Sequence, residues 1–427
     1  MISDRDKKLS LIKKGIWLYF FLLIFEGAFR KWIIPGLATP LLVVRDPIAI
    51  WLICMAWRSN IFKINAYILL AVVVSIISFF TALVYGHGNL SVAMYGVRIM
   101  LIHFPLIFVI GRAFSREDIL MMGKICVYIG LPMFVLITIQ FALPQTSIVN
   151  IGVGGEGSSG FAGALGYYRP SGTFSFGAGN SFFWGLLASF VFYFWMSSDK
   201  WIDKKILILS TVMLLAAIPI SISRTLMFEV LLTLFFMLVY IMRRPSYWSK
   251  ILIACIGIFI VGLIVYQIPI IQTSIDVYIA RFTTASEYEG GVEGTLGNRF
   301  LGGMFQGITD SDDLPFWGYG IGMGTNVGAM LLSGKVAFLI AEEEWPRIIG
   351  ETGLVLGLMT IAIRVVLVFN MGVASFKRNL KGDPLAWMLL SFGCTLILRG
   401  QIGQPTALGF FALSGGLIMA ALNKKVE

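Results

Sequence analysis

Uninterrupted apolar runs of about 20 residues recur along the whole chain, each long enough to cross a bilayer core of about 30 Å. In hydrocarbon a backbone can hydrogen-bond only to protein, so such runs must be helices. A membrane barrel would instead show alternating segments of about ten residues. Composition agrees: 58% of residues are hydrophobic and only 13% charged, against about 25% charged in soluble domains. The expected fold is an all-α polytopic membrane protein, one integral domain over 1–427. The opening MISDRDKKLSLIKK leads straight into the first run with no small-residue cleavage site, so it reads as an uncleaved first helix.

We expect twelve spans, at 15–33, 41–57, 64–85, 92–111, 120–143, 180–196, 206–222, 225–242, 251–270, 348–372, 385–400 and 407–422. Alternate connections then sort by charge. The N-terminal segment, WRSNIFK, RAFSRED, SSDKWIDKK, RRPSYWSK, FKRNLKGD and NKKVE, with Lys124, hold 21 of the 33 Lys and Arg. The positive-inside rule puts these in the cytoplasm, and with them both termini. An inner (plasma) membrane location is expected. The net charge of +10 therefore reflects topology and attraction to anionic lipid heads. No basic module interleaved with aromatics exists to suggest nucleic acid.

The other basic residues form a different population. Apart from Lys31 and Lys335 they are arginines: Arg30, Arg45, Arg98, Arg169, Arg224, Arg281, Arg299, Arg347, Arg364 and Arg399. They fall in outer connections or within spans. Guanidinium suits desolvated, forked contact with phosphate or carboxylate, whereas ammonium suits a hydrated surface. Two outer connections are long: 144–179, rich in Gly and Ser, and 271–347, expected to be partly helical. Cys54, Cys126, Cys255 and Cys394 all fall within spans, and the chain has two histidines. No disulfide framework, metal site or cofactor is indicated.

The most concentrated charge stands in AEEEWPRIIGETGLVLG (341–357), at the start of a span. Pro346 suits a first helical turn. Arg347 and Glu351 form an i,i+4 pair, with Gly350, Leu354 and Gly357 close to the same face. Glu342, Glu343 and Glu344 are candidates for a general base; the alternative is an internally paired span-end cluster. Glu344 ranks first by closeness to Arg347. Within spans, Arg45 beside Asp46, and Glu26 four residues before Arg30, invite mutual neutralisation. Arg98 has no acidic neighbour in sequence and is a candidate ligand for an external anion. Arg364 is left without a role, and Asp46 or Glu229 is the fallback group for activating an acceptor. YYRPSGTF (167–174) and SISRTLMFE (221–229) place Arg169 and Arg224 at outer span ends, as anion ligands or as snorkelling residues. FWGYGIGMGTN (316–326) is either a backbone anion cradle or a hinge. His87 and His103 read as structural.

In this order, the Arg-Pro-Ser-Gly-Thr-Phe segment, the Ser-Ile-Ser-Arg turn, Gly-Asn-Arg (297–299), Gly-Tyr-Gly-Ile-Gly-Met-Gly (318–324) and Glu-Glu-Trp-Pro-Arg…Glu-Thr-Gly-Leu (343–354) resemble the O-antigen polymerase and ligase superfamily of bacterial membrane glycosyltransferases. The resemblance implies a metal-independent, inverting enzyme on the outer face, acting on sugars linked to undecaprenyl diphosphate. It implies lipid-linked donor and acceptor as partners, with a chain-length regulator protein as a further partner. Arg169, Arg224 and Arg347, joined by Arg98 and Arg299, would hold the diphosphate. Glu351 would position Arg347, and Glu344, Glu343 or Glu342 would activate the acceptor hydroxyl. Ligases of this superfamily carry a histidine late in the large outer loop; residues 271–347 contain none, which favours a polymerase. A ligase and a transporter or flippase are the rival readings, the latter because buried Arg and Glu suit both classes.

Overall fold

A computed structural model describes residues 4–197, 201–244, 262–289, 309, 314–335 and 337–423. The described residues are overwhelmingly helical, and the chain is a membrane-embedded α-helical protein. Its main helices are α1 (Asp4–Ala28), α2 (Arg45–Arg58), α3 (Ala66–Val84), α4 (Leu90–Arg98), α5 (Phe104–Ala113), α6 (Arg116–Ala142) and α7 (Gly177–Met196). There follow α8 (Lys204–Ile220), α9 (Arg224–Ile241), α10 (Pro269–Glu289), α11 (Asn326–Ser333), α12 (Glu344–Leu380), α13 (Leu385–Arg399) and α14 (Pro405–Asn423). The sheet content among the described residues is one antiparallel pair, β1 (Phe161–Ala162) and β2 (Tyr168–Arg169). Among the described residues seven helical segments are long and apolar enough to cross a membrane: Pro35–Arg58, Ala66–Val84, Leu90–Ala113, Arg116–Ala142, Arg224–Ile241, Glu344–Leu380 and Pro405–Asn423.

A helix lies over each expected span except 251–270, most of which is outside the described residues. Boundaries shift where capping decides them. The first helix already includes Asp4, ahead of the span expected at residue 15, and Asp4 pairs with Lys8 at 2.6 Å. Ser115 and Asp118 form a reciprocal capping box that starts α6. Two π-helical turns, Phe29–Ile33 and Ile99–His103, are invisible to apolar periodicity.

Lipid tails are as apolar as leucine, so helices here associate by close packing and buried polar contacts. The pair α5–α14 shows how. A Cβ on Gly415 would stand 3.0 Å from Ile107, and one on Gly416 would meet the Cβ of Ile110 at 2.5 Å. Phe410 and Phe411 of α14 are fully buried, with Phe410 against Phe174, Phe182 and Phe392. This central helix carries at its start the turn that joins the two charged clusters described next.

Candidate functional site

Helix α12 is broken at Gly353, whose φ of 76° and ψ of 168° suit essentially only glycine. In a straight helix Glu344 and Arg364 would stand about 30 Å apart, at 1.5 Å per residue. Instead Arg364 Nη1 is 2.6 Å from Glu344 Oε1. A Cβ on Gly357 would be 2.8 Å from Ile349 Cα. The half-helix Glu344–Thr352 therefore folds back along the rest of α12 and carries its N-terminus inward. This corrects the expectation that Arg347, Glu351, Leu354 and Gly357 share one helical face: the break separates Leu354 and Gly357 from the others.

A broken helix exposes backbone carbonyls that need donors. The glycine-rich segment supplies them. Tyr319 N donates to Gly350 O at 2.8 Å and Gly320 N to Glu351 O at 3.0 Å. On its other side the segment packs on α4, where a Cβ on Gly96 would meet Gly322 N at 2.5 Å, and His87 Nε2 lies 3.1 Å from Ile321 O. Residues 318–324 thus seal the half-helix; the anion cradle and the free hinge are both replaced by this role. His87 is structural, as expected.

Inside the hairpin lies a neutral network of four buried charges. Glu344 accepts from Arg347 Nε and Nη2, each at 2.9 Å, and from Arg364 Nη1. Arg347 Nη1 donates to Glu351 Oε2 at 2.7 Å, while Gly324 N donates to Glu351 Oε1 at 2.8 Å. Glu351 thus holds Arg347 in place. Arg364, unassigned from sequence, also donates to Ile397 O and Gly400 O, tying the half-helix to the end of α13. Glu343 is partly exposed, its Oε2 3.6 Å from Arg399 Nη2. The Glu342 side chain is exposed, with its carbonyl accepting from Gln401 Nε2.

A second network spans α1, α2 and α4, with pairing different from that expected. Arg45 Nε donates to Glu26 at 3.0 Å rather than to its neighbour Asp46. Asp46 instead accepts from Arg98 Nη1 at 2.7 Å and meets His103 Nε2 at 2.9 Å, with Tyr19 Oη 3.0 Å from His103 Nδ1. Adjacent residues on a helix diverge by about 100°, so 45 and 46 face different partners. Arg98 therefore has an acidic partner that sequence distance hid. Glu26 and Arg30 do pair, at 3.5 Å.

The two networks belong to one polar seam. The α13–α14 turn bridges them: Gly400 O accepts from Arg364, a Cβ on Gly403 would be 3.3 Å from Arg347 Nε, and Pro405 O accepts from Arg45 Nη2 at 2.7 Å. From the π-helical turn after α1, Arg30 reaches Ser175 at 2.9 Å and Lys31 reaches Ser171 and Gly172 O. That segment follows Arg169. Asn180 Nδ2 then joins Pro170 O to Ser221 Oγ at 3.4 and 3.3 Å, and Ser181 joins Ser223 at 2.8 Å. So the Arg169 and Arg224 motifs are stitched together through the start of α7. Helix α10 covers them, with Arg281 Nη1 3.5 Å from Gly163 O. Burial pushes the Tyr278 hydroxyl up, opposed by nearby Arg224. Arg299 lies outside the described residues. Sequence reading gave no role to Asn180, Lys31 and Gln401, whose contacts only the fold brings together. Comparison with known protein families and with curated proteins finds no match to this chain.

Proposed function

We propose that this protein is a polymerase-type glycosyltransferase of the bacterial inner membrane, joining undecaprenyl-diphosphate-linked repeat units into a surface polysaccharide on the outer face. In this reading the chain crosses twelve times with both termini in the cytoplasm. The observation that carries it is the polar seam: residues of 26–31, 45–46, 98–103, 169–181, 221–224, 344–364 and 400–405 meet through direct polar contacts within an otherwise apolar bundle. Keeping so many charges there is costly unless they serve a ligand or the chemistry.

The chemistry follows from the residues. The acceptor hydroxyl attacks the anomeric carbon of the donor sugar, and the bond to the diphosphate oxygen breaks. Charge grows on the leaving diphosphate, and Arg169 and Arg224 stabilise it with guanidiniums that are charged beforehand. Arg347 and Arg364 are held by carboxylates and fix the half-helix. Glu344 has its oxygens engaged by three N–H donors, so Glu343 is the better-placed carboxylate to take the acceptor proton. This reverses the order suggested by sequence spacing.

The direct test is polymer formed by purified protein from a lipid-linked repeat unit. Loss of the protein in cells should make such units accumulate on the outer leaflet; trapping on the cytoplasmic leaflet would point to a flippase. For topology, single cysteines at Ser158 and Ser333 in a cysteine-free background should label from outside, and those at Ser59 and Lys381 from inside. Inside labelling at Ser333 would overturn the outer-face reading. Arg169→Lys and Arg224→Lys keep the charge but lose the planar fork. Each should lower turnover by about tenfold or more, roughly 1.4 kcal/mol or more in the transition state. Unaltered turnover in both variants would make them snorkelling residues.

A further inference from the structure

Polymerisation brings together two molecules that each carry a lipid diphosphate, and the Arg169–Arg224 region accounts for one. The cluster on α1, α2 and α4 has the features of a second anion site. Three guanidiniums, Arg30, Arg45 and Arg98, stand against two carboxylates, Glu26 and Asp46. Arg98 spends only Nη1 on Asp46. Its Nε and Nη2 are buried with no hydrogen-bond partner among the described residues, although the residue is only 6% exposed. Those two atoms form the edge of guanidinium that grips an oxyanion with two parallel hydrogen bonds.

The hydroxyl of Tyr95 is also buried without a partner among the described residues. The Arg98 guanidinium lies 3.8 Å from the Tyr95 ring centroid, so one face is covered and the edge remains to bind. The backbone is unusual at both ends of this cluster. The π-helical turn Phe29–Ile33 carries Arg30 and Lys31, and the turn Ile99–His103 starts directly after Arg98 and ends on His103. Such turns are rare and concentrate at functional sites, because they re-aim side chains that a regular helix would stack.

We propose that the Nε–Nη2 edge of Arg98, together with the Tyr95 hydroxyl, binds a phosphate-class oxyanion, and that under the proposed function this is the diphosphate of the second lipid-linked substrate. The π-helical turn after α1 and the start of α2 contribute Arg30 and Arg45 beside it. Asp46 and His103 position the Arg98 head rather than touch the ligand.

The test uses the full-length protein in nanodiscs and direct binding by calorimetry, with two probes: undecaprenyl diphosphate bearing no sugar, and inorganic pyrophosphate. Arg98→Lys retains a cation for Asp46 but loses the edge. Tyr95→Phe removes only an unpartnered hydroxyl, so its fold is secure and its melting temperature serves as the check. The unaltered protein should show two binding events for undecaprenyl diphosphate, and in each variant one of the two should be lost or weakened at least tenfold. Equal binding by both variants, or no binding of either probe by the unaltered protein, would overturn the site. Binding of pyrophosphate alone would overturn its assignment to a lipid. The readout needs no turnover, so failure of the polymer assay would count against the proposed function and leave this result standing.

Discussion

Gly353→Ala should abolish polymer formation and lower the melting temperature by several degrees. The φ of 76° with ψ of 168° falls in a region that costs other residues about 1–3 kcal/mol. A Cβ there would also run into the Phe316 carbonyl and approach Gly318 N at 3.0 Å. Relief requires either straightening α12 or displacing the glycine-rich segment. Straightening pulls Glu344 away from Arg364, and displacement strips the donors from Gly350 and Glu351. Gly372→Ala is the control on the same helix: a Cβ there meets nothing closer than Leu390 Cδ2 at 3.9 Å. It should be neutral or stabilise by up to about 1 kcal/mol, as helical Gly→Ala changes do. Thermal melting and the polymer assay on both variants decide the matter. A Gly353→Ala protein that melts and polymerises like the unaltered one would mean the hairpin is unnecessary.

The helices were legible because apolar runs of membrane length leave little choice of backbone structure. What periodicity could not supply was the direction of the chain within a run. Residues 348–372 read as one span because Gly353 is one glycine among several, and only its backbone angles distinguish it from Gly350 or Gly357. Pairing failed for a related reason. Arg45 and Asp46 are adjacent in sequence and so invite a mutual bridge, yet helix geometry sends them to Glu26 and Arg98. The i,i+4 pairs, Glu26 with Arg30 and Arg347 with Glu351, were legible because both partners lie on one helix turn. Arg364 gave a signal that spacing could not interpret: a fully buried cation in a span must have a partner, and the partner lay across a fold-back.

The same geometry separates two glutamates that are neighbours in sequence, and it predicts opposite failures for them. Glu344 is buried with three guanidinium N–H groups upon it. Glu344→Gln keeps the shape but leaves two buried guanidiniums, Arg347 and Arg364, with one carboxylate, Glu351, which Arg347 alone contacts. Removing one partner of a buried ion pair costs about 3–5 kcal/mol, a large part of the roughly 5–15 kcal/mol that holds a typical domain folded. The variant should therefore show a reduced yield of folded protein and a lowered melting temperature. Adding Arg364→Met, which restores charge balance, should recover part of that stability. Glu343 has a side chain 26% exposed and a loose partner at 3.6 Å, so Glu343→Gln should leave melting unchanged. If Glu343 takes the acceptor proton, its turnover should fall about 10²–10⁴-fold, with binding of the lipid-linked donor preserved. Glu342→Gln, on an exposed side chain, should do neither. The informative reversal is a Glu344→Gln protein that melts normally and makes no polymer. Its carboxylate would then release its arginines during the reaction, and the buried network would be the catalytic group rather than the frame that holds one.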